Sequence, residues 1–301
     1  MLEYSEYLQK TVAPSTQKRY ERELKLYFNY LSKLVDNDSC TTEKPAEAGY
    51  EQIMNYLGYL RQKHTEGNTV NCALHAIKKY YDCLMSMGIR ADHPAKSIRL
   101  RDKKSRDIQL QNLFTAEELT TLLLLRKERY QVLKNRNLLI LSLLIYQGLT
   151  TGECCNIDRS DIHLPGQTIY IKSSRRSNRR TLELKENQLE YLMDYLSTDR
   201  PKLLAMGPIQ TEKLLITKKG TVEKGEGISY LLDSQKDLFP GRKLNPRTIR
   251  QSLIANKLAG GEDLRKVQVF AGHKYPDTTE KYRQTYVENL KIAIHRYHPM
   301  S

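Results

Sequence analysis

The sequence predicts a mainly α-helical chain of two domains, the second carrying a small β-hairpin. Apolar residues recur at steps of three and four through most of the chain, whereas residues 168–184 alternate with period two around a polar turn. The length of 301 residues exceeds a typical domain of ~100–200. With 39% hydrophobic and 28% charged residues and only 15 Gly and 10 Pro, the composition supports packed cores and excludes a low-complexity chain.

The first helix is expected at 15–35. Ser15 and Thr16 are suitable caps, and Tyr20, Leu24, Tyr27, Phe28, Leu31, Leu34 and Val35 form one apolar stripe. A second is expected at 50–63 through Ile53, Tyr56, Leu57 and Leu60. A third, at 68–87, runs through Val70, Leu74, Ile77, Tyr80, Tyr81 and Leu84 and ends at Gly88. Residues 1–98 thus make an all-helical domain in which Tyr20, Tyr56 and Tyr80 serve packing. Residues 99–112 are basic and poor in apolar side chains, so they read as a linker that buries little.

The second domain spans 113–301. Thr115-Ala-Glu-Glu118 is a capping box before Leu119, Leu122 and Leu123, and the next helix, 136–147, breaks at Gly148. Its apolar run from Leu138 to Tyr146 is far short of the ~20 residues a membrane span needs, so it reads as a buried helix. Thr168–Lys172 and Arg180–Leu184 form the hairpin, and the chain beyond 186 reads as mostly helical apart from the Gly-rich loop 220–227.

Charge narrows the class of partner. There are 49 basic against 35 acidic residues, a net charge of +14 with pI near 9.4. The excess is larger beyond residue 110, where 31 basic residues face 21 acidic ones. Arg99–Arg106, Lys172–Arg180 and Arg242-Lys243 are basic runs. Such runs suit a polyphosphate, because each neutralised phosphate releases condensed counterions. An anionic membrane would suit the charge, but no strongly amphipathic basic helix is evident. The five cysteines, Cys40, Cys72, Cys83, Cys154 and Cys155, are odd in number and lack a Cys-x-x-Cys pair. They read as reduced thiols of a cytoplasmic protein with no metal site and no cofactor. The amino-terminal residues lack the pattern of a secretion signal.

The chemistry is concentrated in residues 244–283. Arg250 is followed 23 residues later by Gly272-His273, and nine residues after His273, Thr278-Thr-Glu-Lys-Tyr282 ends in a tyrosine. In these residues the chain resembles the tyrosine recombinase, or phage integrase, family. Tyr146-Gln-Gly-Leu-Thr-Thr-Gly-Glu153 with Asp158-Arg-Ser-Asp161 is similar to the family's first box. The resemblance implies a helical SAM-like core-binding domain plus a mixed α/β catalytic domain, closing as a clamp on duplex DNA. Tyr282 would be the nucleophile that forms a 3′-phosphotyrosyl ester, and Arg250 and His273 would donate to the scissile phosphate. A hairpin Lys would protonate the leaving 5′-oxygen; Lys172 is the only Lys in the turn, although counting back from Leu184 places Arg175 there. Phosphotyrosine chemistry conserves the bond energy, so rejoining needs no ATP.

Two departures matter. Thr150 stands where the family has its first catalytic Arg, and Arg247 where it usually has His. A Thr hydroxyl cannot replace a planar, permanently charged guanidinium, whereas Arg247 keeps a basic donor to phosphate. Arg247, Arg175 or Arg176 is expected to reach in and supply the missing charge. Arg99, Arg101, Lys103, Lys104, Arg175 and Arg176 are the expected contacts to the DNA backbone. Residues 286–298 carry an apolar stripe for a terminal helix. The resemblance implies that this helix packs into a neighbouring protomer, giving a homo-tetramer on DNA, with accessory DNA-bending proteins as further partners and no membrane partner. The function expected is site-specific DNA recombination, such as integration of a mobile element. The alternative is a catalytically impaired, recombinase-derived DNA-binding or regulatory protein. A topoisomerase with the same chemistry would give no reason for the core-binding domain.

Overall fold

The computed structural model describes residues 2–35, 45–63, 67–100, 112–208 and 210–283. Cys40, Arg101, Lys103, Lys104 and the expected helix 286–298 lie outside them. The chain divides into two compact units, Met1–Arg106 and Asp107–Ser301.

The first unit is helical: α1 (Leu2–Thr11), α2 (Pro14–Val35), α3 (Tyr50–Lys63) and α4 (Gly67–Ser86). Its core gathers the apolar stripes, with Leu24, Tyr27, Ile53, Tyr56, Leu57, Ile77 and Tyr81 all buried. The Tyr27 and Tyr56 rings lie 5.0 Å apart, and Tyr81 Oη donates to the Ala48 carbonyl at 3.2 Å, whereas the buried Tyr56 hydroxyl has no hydrogen-bond partner among the described residues. Two features go beyond the expected elements. Helix α1 has no counterpart in the sequence reading, since a short helix that buries Tyr4 and Leu8 gives little periodic signal. The end of the expected first domain is anchored just where the expected linker begins. Ile98 is buried with Ala95, Leu100 packs on the same core, and Lys78 Nζ donates to the Ile98 carbonyl at 2.8 Å. Helix α2 begins at Pro14, which fits a first helical position because its missing N–H would be unpaired there anyway.

The second unit is built around α6 (Lys134–Tyr146), which is buried continuously from Arg136 to Ile145. Helices α5 (Ala116–Leu125), α8 (Glu186–Asp194) and α11 (Pro246–Ala259) pack around it, which is why its apolar residues are not confined to one face. The expected capping box at Thr115 and Glu118 forms. After α7 (Thr151–Asn156) comes an antiparallel sheet of β1 (Ile162–His163), β2 (Thr168–Ile171) and β3 (Arg180–Glu183), in that order. Strand β1 was not legible, because two residues carry no alternation. Ile169 faces Leu182 and Ile171 faces Arg180 across the hairpin. A π-helical turn, Tyr195–Asp199, joins α8 to α9 (Arg200–Ala205). Helix α10 (Glu226–Asp233), α11, α12 (Leu264–Ala271) and helical residues 276–283 follow. Among the described residues no helix is long and apolar enough to cross a membrane.

Candidate active site

The site forms where the end of α6, the start of α7, the hairpin, α11 and the segment after α12 converge. Just beyond α6 the chain turns at Gly148, whose φ of +60° favours glycine and which packs against Leu253 of α11, whose Cδ2 would have to shift from a Cβ there at 2.9 Å. Thr150 then caps α7. Its Oγ1 accepts from the Glu153 N–H at 3.2 Å, and Glu153 Oε2 accepts from the Thr150 N–H at 2.9 Å and its hydroxyl at 3.0 Å. The Thr150 hydroxyl proton is therefore committed to Glu153.

Glu153 is buried between two guanidinium groups. Its Oε1 accepts from Arg180 Nη1 at 2.7 Å, and its Oε2 lies 3.8 Å from Arg250 Nη1. Burial would raise this carboxyl, but the Arg180 bond and charge, the Thr150 N–H and Arg250 together hold it at about 2. Arg250, on α11, donates to the Gly148 carbonyl at 2.6 Å and to the Ala271 carbonyl, so one side chain ties α11 to the ends of α6 and α12. Burial lowers its pKa, with Glu153 opposing, but a guanidinium stays charged.

Helix α12 stops at Gly272, whose φ of +68° turns the chain sharply. The hairpin tip docks here: Asn178 N–H donates to the Gly272 carbonyl at 2.9 Å, and Ser177 bridges to His273. His273 Nδ1 lies 2.8 Å from the buried Thr279 Oγ1. Its ring stacks on Tyr282, with centroids 6.2 Å apart and planes 15° from parallel. Tyr282 is 8% exposed and packs with Ile254, Val267 and Ala271. Burial raises its phenol, while the charges of Arg250 and Arg247 and a bond from Gln251 pull the other way.

Of the residues selected from sequence, Arg250, His273 and Tyr282 thus meet in one place. Arg247 is exposed one turn earlier on α11, with its charge acting on Tyr282. Lys172 lies on the rim of a cleft of about 320 Å³ that also includes Thr150 and Glu153. Its ammonium is paired with Asp158 and, at 3.0 Å, with Asp161, and these carboxylates raise its pKa. Arg175 and Arg176 are exposed on the hairpin turn, and Arg99 is exposed in the first unit. The sequence reading passed over Arg180, the hairpin arginine that lies inside. Its signal was parity: Arg180 and Leu182 share the inward face of β3.

The buried imidazole makes acid stability testable. Burial, then the charges of Arg250 and Arg180, lowers His273 to about 4 from its ordinary 6.5. A lowered imidazole stabilises the fold fully above ~6.5, and this contribution is lost as pH falls toward ~4. The depressed Glu153 carboxyl contributes above ~4.5 and is lost toward ~2. Thermal unfolding is therefore expected to show falling stability from pH 6.5 to 4, and His273→Gln to flatten the slope in that window alone. An unchanged slope in His273→Gln would assign the titration to another group.

The phage integrase family matches residues 112–289, and the family's amino-terminal SAM-like domain matches residues 2–88. A tyrosine recombinase XerC of Anoxybacillus flavithermus is 23% identical over 305 residues, covering 98% of this chain and 96% of its own length. The fold is similar to that of XerH site-specific recombinase bound to its difH substrate, with a TM-score of 0.67 and 19% identity over 91% of this chain and 78% of that one. It is also similar to a lambda integrase dimer bound to a core site, with a TM-score of 0.62 and 15% identity over 93% and 92% of the two chains.

Proposed function

The chain belongs to the phage integrase family of tyrosine recombinases, and from that premise we propose that it is a site-specific recombinase whose Tyr282 cuts and rejoins duplex DNA. The observation that carries this reading is the meeting of Arg250, His273 and Tyr282, separated by up to 32 residues in sequence, with the buried Glu153 carboxylate 3.8 Å from Arg250 and the Tyr282 ring stacked on His273. Tyr282 Oη bonds to the scissile phosphorus as the bond to the 5′-oxygen breaks, leaving a 3′-phosphotyrosyl ester and a free 5′-hydroxyl. The phenolic proton passes to solvent as the bond to phosphorus forms, and the raised pKa of Tyr282 makes that transfer part of the barrier. Arg250 stabilises the charge that builds on the non-bridging oxygens. Neutral His273 donates from Nε2 in the tautomer in which Thr279 Oγ1 donates to Nδ1. Arg247 provides a further charge at the rim.

Lys172 is the acid for the leaving oxygen. To act, it must leave Asp158 and Asp161, so closure on DNA has to move the hairpin. Lys172→Ala is expected to slow cleavage of ordinary DNA by about 100-fold, in the range of general-acid contributions. It should cleave DNA bearing sulfur at the 5′-bridging position at nearly the wild-type rate, since a thiolate leaves without a proton. Equal losses on both substrates would remove Lys172 from that role.

Arg175, Arg176 and Arg99, with Arg101, Lys103 and Lys104, contact the phosphate backbone. The protein works in the cytoplasm, consistent with free thiols at Cys72, Cys83, Cys154 and Cys155. It assembles as a homo-tetramer on two duplexes, aided by DNA-bending partners. A second reading, DNA binding without cleavage, is favoured by Thr150, whose hydroxyl is occupied and uncharged. One experiment separates the two: a duplex nicked beside the target site traps a covalent adduct only if the chain cleaves. Sedimentation of the same mixture tests for four protomers.

A further inference from the structure

We propose that Arg180 supplies the guanidinium that position 150 lacks, joining Arg250 as the second buried cation for the scissile phosphate. The inference rests on the recombinase reading above and adds a residue to it.

Arg180 opens β3 on the inward face, with its side chain only 3% exposed. Glu153 holds one end through Nη1. The backbone of Gly272 lies flat against the same nitrogen, so that a Cβ at 272 would fall 2.5 Å from it. This places the guanidinium beside His273. Its other two donor atoms, Nε and Nη2, have no hydrogen-bond partner among the described residues. Leaving buried donors unpaired is costly, and an incoming acceptor would remove that cost. Charge points the same way, since Arg180 and Arg250 share the single carboxylate of Glu153 and one positive charge is left over. An anion is the ligand that satisfies both deficits. Thr150 cannot provide this charge, and Arg175 and Arg176 lie exposed on the turn. The hairpin tip at Ser177 and Asn178 is docked on Gly272 and His273, and lifting it as DNA enters would open Nε and Nη2 to a non-bridging oxygen.

The test uses the full chain and nicked duplexes whose scissile phosphate is either normal or an uncharged methylphosphonate. Arg180→Met should form the covalent adduct at least about 100-fold more slowly than wild type on normal phosphate, as for loss of one preorganised donor. On methylphosphonate, where there is less charge to neutralise, it should come within about 10-fold of wild type. Adding Thr150→Arg to Arg180→Met should recover at least about 10-fold on normal phosphate. If Arg180→Met does not fold, Glu153→Gln/Arg180→Met, which leaves no lone carboxylate buried, is read in the same way. Equal losses on both substrates with DNA affinity unchanged would make Arg180 merely structural and overturn the proposal, as would no loss at all. Absence of an adduct from the wild-type chain would instead remove the enzymatic reading, and Arg180 with it.

Discussion

Tyr282→Phe is expected to form no covalent adduct with a nicked target duplex on which the wild-type chain accumulates one, while binding that duplex with the same affinity. The substitution removes one oxygen and leaves the ring that stacks on His273 and fills the space among Ile254, Val267 and Ala271. The fold should therefore persist, and the lost bond from Gln251 is a small cost beside the retained packing. Without the nucleophile, the remaining donors can bind phosphate but have no covalent route to follow. Denaturing electrophoresis of the adduct is the measurement. Adduct formation by Tyr282→Phe at the wild-type rate would assign the nucleophile to another residue.

The second large effect is expected at Arg250. Arg250→Ala removes the charge proposed to face the phosphate and also the clasp between the Gly148 and Ala271 carbonyls. Loss of one preorganised donor corresponds to about 3–4 kcal/mol, or roughly 100- to 1,000-fold in the cleavage rate. Arg250→Lys should recover little, because an ammonium is a point charge that cannot reproduce the planar two-ended grip on two carbonyls. Single-turnover cleavage compared with DNA affinity measures the catalytic part, and the melting temperature reports the clasp. Lys at full activity would show that charge alone, without the fork geometry, is sufficient.

These two effects differ from the Arg180 case in how early they can be seen. Tyr282 and Arg250 belong to a linear pattern whose intervals were readable in the chain itself. Arg180 sits among five basic residues in the nine from Lys172 to Arg180, and composition gives no reason to choose it over Arg175 or Arg176. Only the parity of β3 and the closure of the hairpin onto Gly272 separate an inward arginine from its exposed neighbours. Thr150 is similar: its place in the first box was legible, but its service as the cap of α7 with Glu153 was not.

The sequence by itself determined the elements with long stripes and the spacing of Arg250, His273 and Tyr282 on which the proposed chemistry rests. Periodicity over several turns and fixed spacing are local properties that survive without knowledge of contacts. Helix α1 and strand β1 escaped because their local signals are too short. The pairing of Lys172 with Asp158 and Asp161, the position of Glu153 between two guanidinium groups and the burial of Tyr282 against His273 were decided by tertiary structure alone. Those contacts join different elements, and Glu153 reaches Arg250 across 97 residues of sequence. The strength of the Glu153–Arg180 pair comes from exclusion of water, which exists only after the second unit has closed around α6.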